Sequence, residues 1–271
     1  MNLLIHSMSE FESIILPVLN LVQPRNIVEI GSEHGGLTAV LSTWVQSNGG
    51  FLKSVDPSPS PVFREWAATA SAFEHIEKPS LDAIGDLEDV DCWFIDGDHN
   101  WYTVYNELKC IQQNSDKNGK PMLVFLHDVG WPNGRRDIYY APERIPAEFR
   151  HPFSYDIGVT LDQGDLLNGG FHGNGAFAWA KHEYGPKNGV LTAVEDFAVP
   201  QGETFSLAVI PAVFGLGVLF SSSASWAPDL ANFLMPYHEH PLMAKLEQNR
   251  LRNYLKVIAL QDQKKRDATG G

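Results

Sequence analysis

Cysteine is scarce in this sequence: 271 residues contain two, Cys92 and Cys110, and neither begins a C-x-x-C pair. Two isolated cysteines predict neither a disulfide framework nor a zinc knuckle. We expect both side chains to pack in the core. This low cysteine content is typical of a protein of the reducing cytoplasm.

Basic residues are also few, since 20 lysines and arginines stand against 33 aspartates and glutamates, which gives a formal net charge of -13. Nucleic acids and anionic membranes bind basic surfaces, so neither is an expected partner. An acidic surface remains compatible with cations, including divalent metals.

Long uninterrupted apolar runs are missing as well. The most apolar stretch, residues 205–224, contains proline and glycine and predicts two adjoining strands rather than a membrane span. The apolar N-terminal segment carries Glu10 and Glu12 and has no basic region. It predicts an amphipathic helix rather than a signal peptide.

Apolar runs and helical periodicity alternate over the first 128 residues. This alternation predicts a parallel sheet with helices on both faces, and continuous apolar strands indicate burial on both sides. Ser9 and Asn188 are predicted N-caps. The predicted strands cover 26–31, 51–56, 75–78, 91–96 and 122–128, then 204–210 and 214–221 as a closing antiparallel pair, and the predicted helices cover 9–22, 35–48, 60–72, 100–114 and 188–199.

We predict a single domain over residues 1–271. Residues 129–187 are rich in glycine, proline, arginine and aromatic residues and show little periodicity, which is typical of an insertion or lid over an active site. The other predicted divisions are an N-terminal helix over 1–24, a cofactor-binding half over 25–128, a helix with the closing strands over 188–222 and a C-terminal helical region over 223–271.

The segment VEIGSEHGG (28–36) places Glu29 at the end of the first strand and Gly31 and Gly35 in the turn that follows. In open parallel sheets, ligands bind beyond the carboxyl ends of the strands, and glycines allow close approach of the backbone. Glu33 interrupts the G-x-G-x-x-G spacing of dinucleotide folds. Two acidic residues would repel a pyrophosphate but tolerate a cationic or zwitterionic ligand such as S-adenosylmethionine; a plain tight turn is the alternative.

Acidic residues also follow the fourth and fifth strands. FIDGDHNW (94–101) places Asp96 and Asp98 directly after an apolar run, and the fifth strand ends in Asp128. Because neighbouring parallel strands end at the same edge of a sheet, Asp96 and Asp128 would meet there and suit Mg²⁺, which prefers oxygen ligands. The third ligand is open between His127, a residue of the insertion and water, and an imidazole would also admit Mn²⁺, Fe²⁺ or Zn²⁺.

Three motifs in this order resemble a class I S-adenosylmethionine-dependent methyltransferase: E-x-G-x-x-x-G, an acid after the second strand, and I-D-G-D-H after the fourth. The segments FIDGDHNWYTVYNELKCI and LVFLHDVGWPNGRRDIYYAPERIP are similar to bacterial methyltransferases related to macrocin and sugar O-methyltransferases. The resemblance implies an α/β fold with a Rossmann-like seven-stranded sheet, helices on both faces and an antiparallel pair of last strands.

The resemblance also implies a site for S-adenosylmethionine. Related metal-dependent O-methyltransferases often carry an acidic residue at the position of His127, and this departure is why the third metal ligand stays open. By this resemblance, the methionine part of the cofactor would be lined by Glu29, Gly31 and Gly35. The ribose hydroxyls would be held by Asp56, and the adenine would lie near Ser80 and Leu81. Asp96 would face the site from the fourth strand.

The implied reaction is methyl transfer to a substrate hydroxyl. A metal between Asp96 and Asp128 would lower the pKa of that hydroxyl. Asp98 or His99 would take its proton as general base, and His127 would contact the metal or the substrate. The alternatives are that Asp98 caps the following helix, that His99 is a solvated turn residue and that His127 is a buried histidine bonded to the backbone.

The insertion supplies the candidate substrate contacts. Arginines there would bind an anionic or sugar substrate, and aromatic rings would stack on a sugar or planar ring; the alternatives are a solvated arginine pair and aromatic anchors of the lid. The candidates are Trp131, Arg135, Arg136, Tyr139, Tyr140, His172 and His182.

We therefore predict a cytoplasmic, metal-assisted O-methyltransferase that acts on a small molecule, either a sugar or a polyhydroxylated natural product. The alternatives are a metal-independent methyltransferase with a His or Asp base, acting on N, O or a carboxylate; a nucleotide-binding oxidoreductase, which the acidic turn disfavours; and a non-catalytic cofactor-binding module. The apolar faces of the N-terminal and C-terminal helices favour a homo-oligomer, although composition does not decide the oligomeric state.

Overall fold

The computed structural model describes residues 5–162, 164 and 166–269. Residues 1–4 of the predicted N-terminal helix and residues 163 and 165 of the predicted insertion lie outside the described residues. The strands, in chain order, are β1 (Asn26–Ile30), β2 (Phe51–Val55), β3 (Phe73–Ile76), β4 (Cys92–Ile95), β5 (Leu123–His127), β6 (Ile138–Tyr139), β7 (Phe153–Ser154), β8 (Ala178–Ala180), β9 (Phe205–Ile210) and β10 (Leu216–Ser221).

A seven-stranded sheet forms the centre of the domain, in the order β3-β2-β1-β4-β5-β10-β9. The first five of these strands are parallel, whereas β10 runs antiparallel to both β5 and β9. The strand order reverses between β1 and β4, which is the place where open α/β sheets bind ligands. The predicted fold, a Rossmann-like seven-stranded sheet with an antiparallel closing pair, is confirmed.

Helices cover both faces of this sheet. Successive residues of β1 point to opposite faces: Ile27 packs with helices of one face, and Val28 packs with helices of the other. The helices are α1 (Glu12–Val22), α2 (Gly36–Asn48), α3 (Pro61–Ala67), α4 (Ser80–Ala83), α5 (Trp101–Asn118), α6 (Val190–Ala198), α7 (Ala227–Leu234) and α8 (Pro241–Thr269), with short 3₁₀ turns at Met8–Phe11, Ile84–Asp86, Pro142–Arg144, Ala147–Phe149 and Val199–Thr204.

Helices α1, α2 and α7 share one apolar core, and α5 and α6 share the other. Each core is continuous with one face of the central strands, so the sheet is buried on both sides. This explains why β4 and β5 are fully buried along their length. No helix of the described part of the chain is long and apolar enough to cross a membrane.

The insertion between β5 and α6 contains a second sheet, with the antiparallel order β6-β8-β7. Its strands are two or three residues long, so they show no periodicity that a sequence pattern could reveal. Trp179 of β8 is fully buried and forms a small core with Ile138 and Val159. The insertion is therefore a packed unit with its own core.

Two predicted helix caps are wrong. Ser7, not Ser9, caps the first turn, and its Oγ accepts a hydrogen bond from the Ser9 N–H at 3.2 Å. Helix α6 follows Gly189, and the Asn188 side chain instead accepts a hydrogen bond from the Asp137 N–H at 2.8 Å. At the first turn a neighbouring hydroxyl takes the capping role, whereas at α6 no side chain caps the helix.

Candidate functional site

Carboxylates and an imidazole meet where β4 and β5 end. These strands are neighbours, with Ile95 opposite Leu126, so the residues that follow them emerge at one rim. His99 Nε2 lies 3.0 Å from Asp128 Oδ2 and 3.4 Å from Asp96 Oδ1. One ligand atom from each of these three side chains lies within 4.8 Å of the others. We call Asp96, His99 and Asp128 the rim triad.

His127 lies beneath this triad. Its Nδ1 is 3.1 Å from Asp96 Oδ1, and its Nε2 is 2.9 Å from the Val213 carbonyl oxygen. Burial disfavours a charged ring, but the carboxylates of Asp96 and Asp128 outweigh it and raise the pKa of His127 to about 9. The imidazolium therefore donates from both ring nitrogens, and the histidine that completes the acidic group is His99.

Asp96 is the partner of both histidines. Burial alone would raise the pKa of its carboxyl, but His127 and His99 reverse this and lower it to about 2. His99 is itself 9% exposed, so it is not a solvated turn residue. The Asp96 carboxyl group is thus ionised, and both imidazole rings contact it.

Asp98 lies outside the rim triad and has a partner of its own on α5. Its Oδ2 accepts a hydrogen bond from Thr103 Oγ1 at 3.3 Å, and burial raises the pKa of its carboxyl. The cap of α5 is Asn100, whose Oδ1 accepts from the Thr103 N–H at 2.9 Å. Asp98 is therefore not the N-cap, and its role as a base stays a prediction.

The glycine turn lies beside the rim. Gly31 has φ 86°, and an added Cβ would come within 2.6 Å of the Gly97 Cα, so the turns after β1 and β4 touch through their backbones. Gly35 has φ 79° and precedes α2. Asp56 Oδ2 accepts hydrogen bonds from the backbone N–H groups of Ser32 and Glu33 at 3.0 and 2.9 Å. The ends of β1, β2 and β4 thus form one connected surface.

Glu29 is buried, with 1% of its surface exposed, and its Oε2 accepts a hydrogen bond from Thr38 Oγ1 at 2.6 Å. Burial raises the pKa of Glu29 to about 8. Ser80 and Leu81 form the first turn of α4, the segment that follows β3. Their contacts with a cofactor remain predictions.

The arginines and the first tyrosine of the insertion hold the fold together. Arg135 pairs with both carboxylate oxygens of Glu195, at 2.5 and 2.7 Å. Arg136 is 1% exposed and donates to the Ala180 carbonyl oxygen at 2.6 Å. Tyr139 is fully buried. The structure does not bring these three candidate substrate contacts to the rim.

The remaining candidates of the insertion also have partners elsewhere. Trp131 packs against the cores of the insertion and of α8. His172 Nε2 lies 2.8 Å from Asp262 Oδ2 of α8, and the His182 carbonyl oxygen accepts from Asn188 Nδ2. Tyr140 is different: it is 47% exposed, and its ring centroid is 6.2 Å from that of His99. Among these candidates, Tyr140 is the one that the structure places beside the triad.

Sequence patterns do not single out Glu107, because it lies in the middle of a predicted helix. Its side chain is fully buried on α5, and burial raises its pKa from an ordinary value of 4.5 to about 8. Asp98 lies close enough to add to this effect. The feature that identifies Glu107 is the burial of its carboxyl group, and this burial is known only once the helices are packed together.

Glu107→Gln is expected to remove a pH-dependent loss of stability. Between pH 4.5 and about 8 the folded protein binds the proton of Glu107 more tightly than the unfolded chain, so stability falls as pH rises through this window. The difference in the free energy of unfolding between Glu107→Gln and the wild type therefore grows by up to about 1.4 kcal/mol per pH unit. Urea unfolding at a series of pH values measures it.

Glu88→Gln is the matched control for that series. Glu88 is 75% exposed and pairs with Lys117 at 3.3 Å, so its removal leaves the pH slope unchanged. If the free energy of unfolding has the same slope with pH in both variants, burial of Glu107 is not the cause of the pH-dependent loss of stability.

Residues 28–129 match the family model described as a methyltransferase domain. This segment runs from Val28 of β1 through β5 and includes both carboxylates of the rim triad. Residues 28–129, which hold the parallel strands of the sheet, are therefore similar in sequence to a methyltransferase domain. No curated protein matches the chain in sequence.

Several solved methyltransferase structures are similar to the chain. An O-methyltransferase from Bacillus cereus in complex with SAH is 13% identical, with a TM-score of 0.49, and the similarity covers 81% of this chain and 84% of that one. The O-methyltransferase TomG from Streptomyces achromogenes, in complex with SAM, is 16% identical, with a TM-score of 0.46 and coverage of 80% and 82%. The SAH-bound methyltransferase PaMTH1 from Podospora anserina is 14% identical, with a TM-score of 0.45 and coverage of 77% and 76%.

Proposed function

We propose that this protein is an S-adenosylmethionine-dependent O-methyltransferase that uses a divalent metal to methylate a hydroxyl of a small molecule. The observation that carries the proposal is the rim triad. It brings two carboxylates and an imidazole together at the edge of a methyltransferase domain, beside the glycine turn.

The proposed cofactor position is the surface formed by the ends of β1, β2 and β4. Glu33 and Asp56 bring carboxylates to the glycine turn, so this region suits a positively charged sulfonium better than a pyrophosphate. Asp56 already orders the turn by accepting two of its backbone N–H groups. Its place after β2 supports the proposed contact with the ribose hydroxyls.

The rim triad has donors that fit a divalent cation. Carboxylate oxygens from Asp96 and Asp128 suit Mg²⁺, and the His99 nitrogen broadens the choice to Mn²⁺ or another transition metal. When bound, such a cation supplies Lewis acidity that lowers the pKa of the substrate hydroxyl. The cationic His127 beneath Asp96 fixes that carboxylate by a hydrogen bond at 3.1 Å.

We propose that Asp98 takes the proton of the substrate hydroxyl. It lies two residues after Asp96, and Thr103 Oγ1 orients its carboxylate. The deprotonated oxygen then attacks the sulfonium methyl group in line, and the methyl–sulfur bond breaks as the methyl–oxygen bond forms. Tyr140 offers an exposed ring beside His99, where it can pack against the acceptor, a sugar or polyhydroxylated natural product.

One observation favours a metal-independent methyltransferase instead. His99 Nε2 lies 3.0 Å from Asp128 Oδ2, and a histidine paired with a carboxylate can act as a general base without a metal. In that reaction Asp128 orients the ring, and His99 accepts the substrate proton.

Removal of the metal separates the two candidates. We expect EDTA followed by desalting into metal-free buffer to lower methyl transfer from S-adenosylmethionine at least about tenfold, and Mg²⁺ or Mn²⁺ to restore it. Transfer is measured as S-adenosylhomocysteine formed with a panel of sugars and catechols. Full activity after rigorous metal removal would rule out the metal-assisted reaction and favour the His99–Asp128 pair.

A further inference from the structure

A buried carboxylate in the insertion connects that unit to the rim. Asp137, which is fully buried, precedes β6. Its Oδ1 accepts hydrogen bonds from the N–H of Trp101 at 2.8 Å and the N–H of Gly189 at 2.6 Å. Its Oδ2 accepts from the Tyr139 hydroxyl at 2.9 Å. One side chain thus joins the first residue of α5, the residue before α6 and the small sheet.

The backbone around Asp137 makes a second set of connections. The Ile138 N–H donates to the His99 carbonyl oxygen at 3.0 Å, so β6 holds the backbone of a triad residue directly. The Ala180 N–H donates to the Asp137 carbonyl oxygen at 3.0 Å, and the Asp137 N–H donates to Asn188 Oδ1 at 2.8 Å. Asp137 therefore has little freedom to shift relative to His99.

These contacts hold the backbone of His99 and of the turn that follows it. Trp101, two residues later, is fixed by the Asp137 carboxylate, and the His99 carbonyl is fixed by the next residue along β6. The His99 ring lies between Asp128 and Tyr140, and Tyr140 also belongs to the segment that Asp137 anchors. Displacement of the carboxylate would let the whole 99–101 turn move.

We propose that Asp137 is a positioning residue that holds His99 in the geometry required for metal binding by the rim triad. Outer groups that orient a metal ligand contribute to affinity although they never touch the ion, and their loss costs about 10- to 100-fold. The insertion is then part of the metal site through Asp137. This inference rests on the proposed metal-assisted function.

The test is Mn²⁺ binding by the full-length protein, followed by the electron paramagnetic resonance signal of free Mn²⁺. Asp137→Ala removes both carboxylate oxygens, so the N–H groups of Trp101 and Gly189 lose their acceptor. We expect it to weaken Mn²⁺ binding at least about tenfold. Its affinity for S-adenosylhomocysteine, measured by calorimetry, stays at the wild-type value because the glycine turn is untouched.

Tyr139→Phe is the matched control. It removes a hydrogen bond from the same carboxylate, but from the oxygen that does not contact α5. We expect Mn²⁺ affinity within about twofold of wild type, since outer-group effects act only through bonds that reach a ligand. A purely structural role for Asp137 would lower thermal stability and leave Mn²⁺ affinity unchanged in folded Asp137→Ala, and that result overturns the inference.

Asn188→Ala is the second variant, used if Asp137→Ala does not fold. It leaves the carboxylate in place and removes the side chain that holds the Asp137 N–H. We expect a smaller loss, about three- to fivefold in Mn²⁺ affinity, and wild-type affinity in this variant would then overturn the inference. Failure of the wild-type protein itself to bind Mn²⁺ would instead overturn the proposed metal-assisted function, on which the inference rests.

Discussion

Asp128→Asn is expected to lower kcat/KM for methyl transfer by about 10²–10³-fold while the protein stays folded. Asp128 Oδ2 lies 3.0 Å from His99 Nε2 in the rim triad, and the amide removes the negative charge that a bound cation needs. Asp128 has φ 60°, a left-handed conformation that asparagine adopts readily. The substitution therefore tests charge without introducing backbone strain.

Asp89→Asn is the control for that experiment. Asp89 also has a positive φ, 59°, but it precedes β4 and so lies at the opposite end of the strands, where it pairs with Lys120 at 2.5 Å. We expect its kcat/KM to remain within about twofold of wild type, because an exposed ion pair contributes little. Wild-type kcat/KM and Mn²⁺ affinity in Asp128→Asn would exclude Asp128 from the site.

Gly31→Ala is expected to destabilise the protein by about 3–5 kcal/mol, a large part of the stability of a typical domain. Alanine at φ 86° is strained, and its Cβ would come within 2.6 Å of the Gly97 Cα and of the Asp96 carbonyl carbon. Both neighbours are backbone atoms, so relief requires the turn after β4 to move. Urea unfolding measures the loss.

Gly119→Ala separates strain from contact. Gly119 has φ 65° at the end of α5, and an added Cβ would meet nothing within 4 Å. We expect about 1 kcal/mol of destabilisation, the cost of the left-handed conformation alone. If Gly31→Ala costs no more than Gly119→Ala, the close approach of the two turns does not constrain the rim.

The central sheet was predictable because its strands are continuous apolar runs between amphipathic helices. β1, β2, β4 and β5 lie within one or two residues of their predicted bounds, and the antiparallel pair β9 and β10 was predicted as well. β3 is shifted to Phe73–Ile76 from the predicted 75–78, since a four-residue edge strand has few apolar positions to define it. Burial on both faces therefore made the strands in the middle of the sheet easier to predict from the sequence than the edge strand β3.

The candidate site was predictable only in part. Strand adjacency brings Asp96 and Asp128 together, as the order of motifs predicts. The choice between His99 and His127 depends on side-chain direction, which no spacing rule gives: His127 reaches back to the Val213 carbonyl, from a turn more than eighty residues away. Long-range partners of this kind appear only in the folded chain.

The insertion was the least predictable part for the same reason. Tyr139 and Tyr140 are adjacent in sequence, yet one is fully buried and the other is 47% exposed beside His99. Tyr139 is the last residue of β6, whereas Tyr140 follows the strand. The strand itself is too short to be recognised in advance.

The insertion is attached to the domain at its base, where Asp137, Ala180 and Asn188 form a buried junction, whereas the segment between β7 and β8 extends towards α8. The base holds the backbone of His99 through the Ile138 N–H, whereas the segment between β7 and β8 contacts α8. Val159 and Phe171 of that segment belong to the small core of Ile138 and Trp179, so a graft that replaced the segment would have to restore these apolar contacts for the insertion to fold.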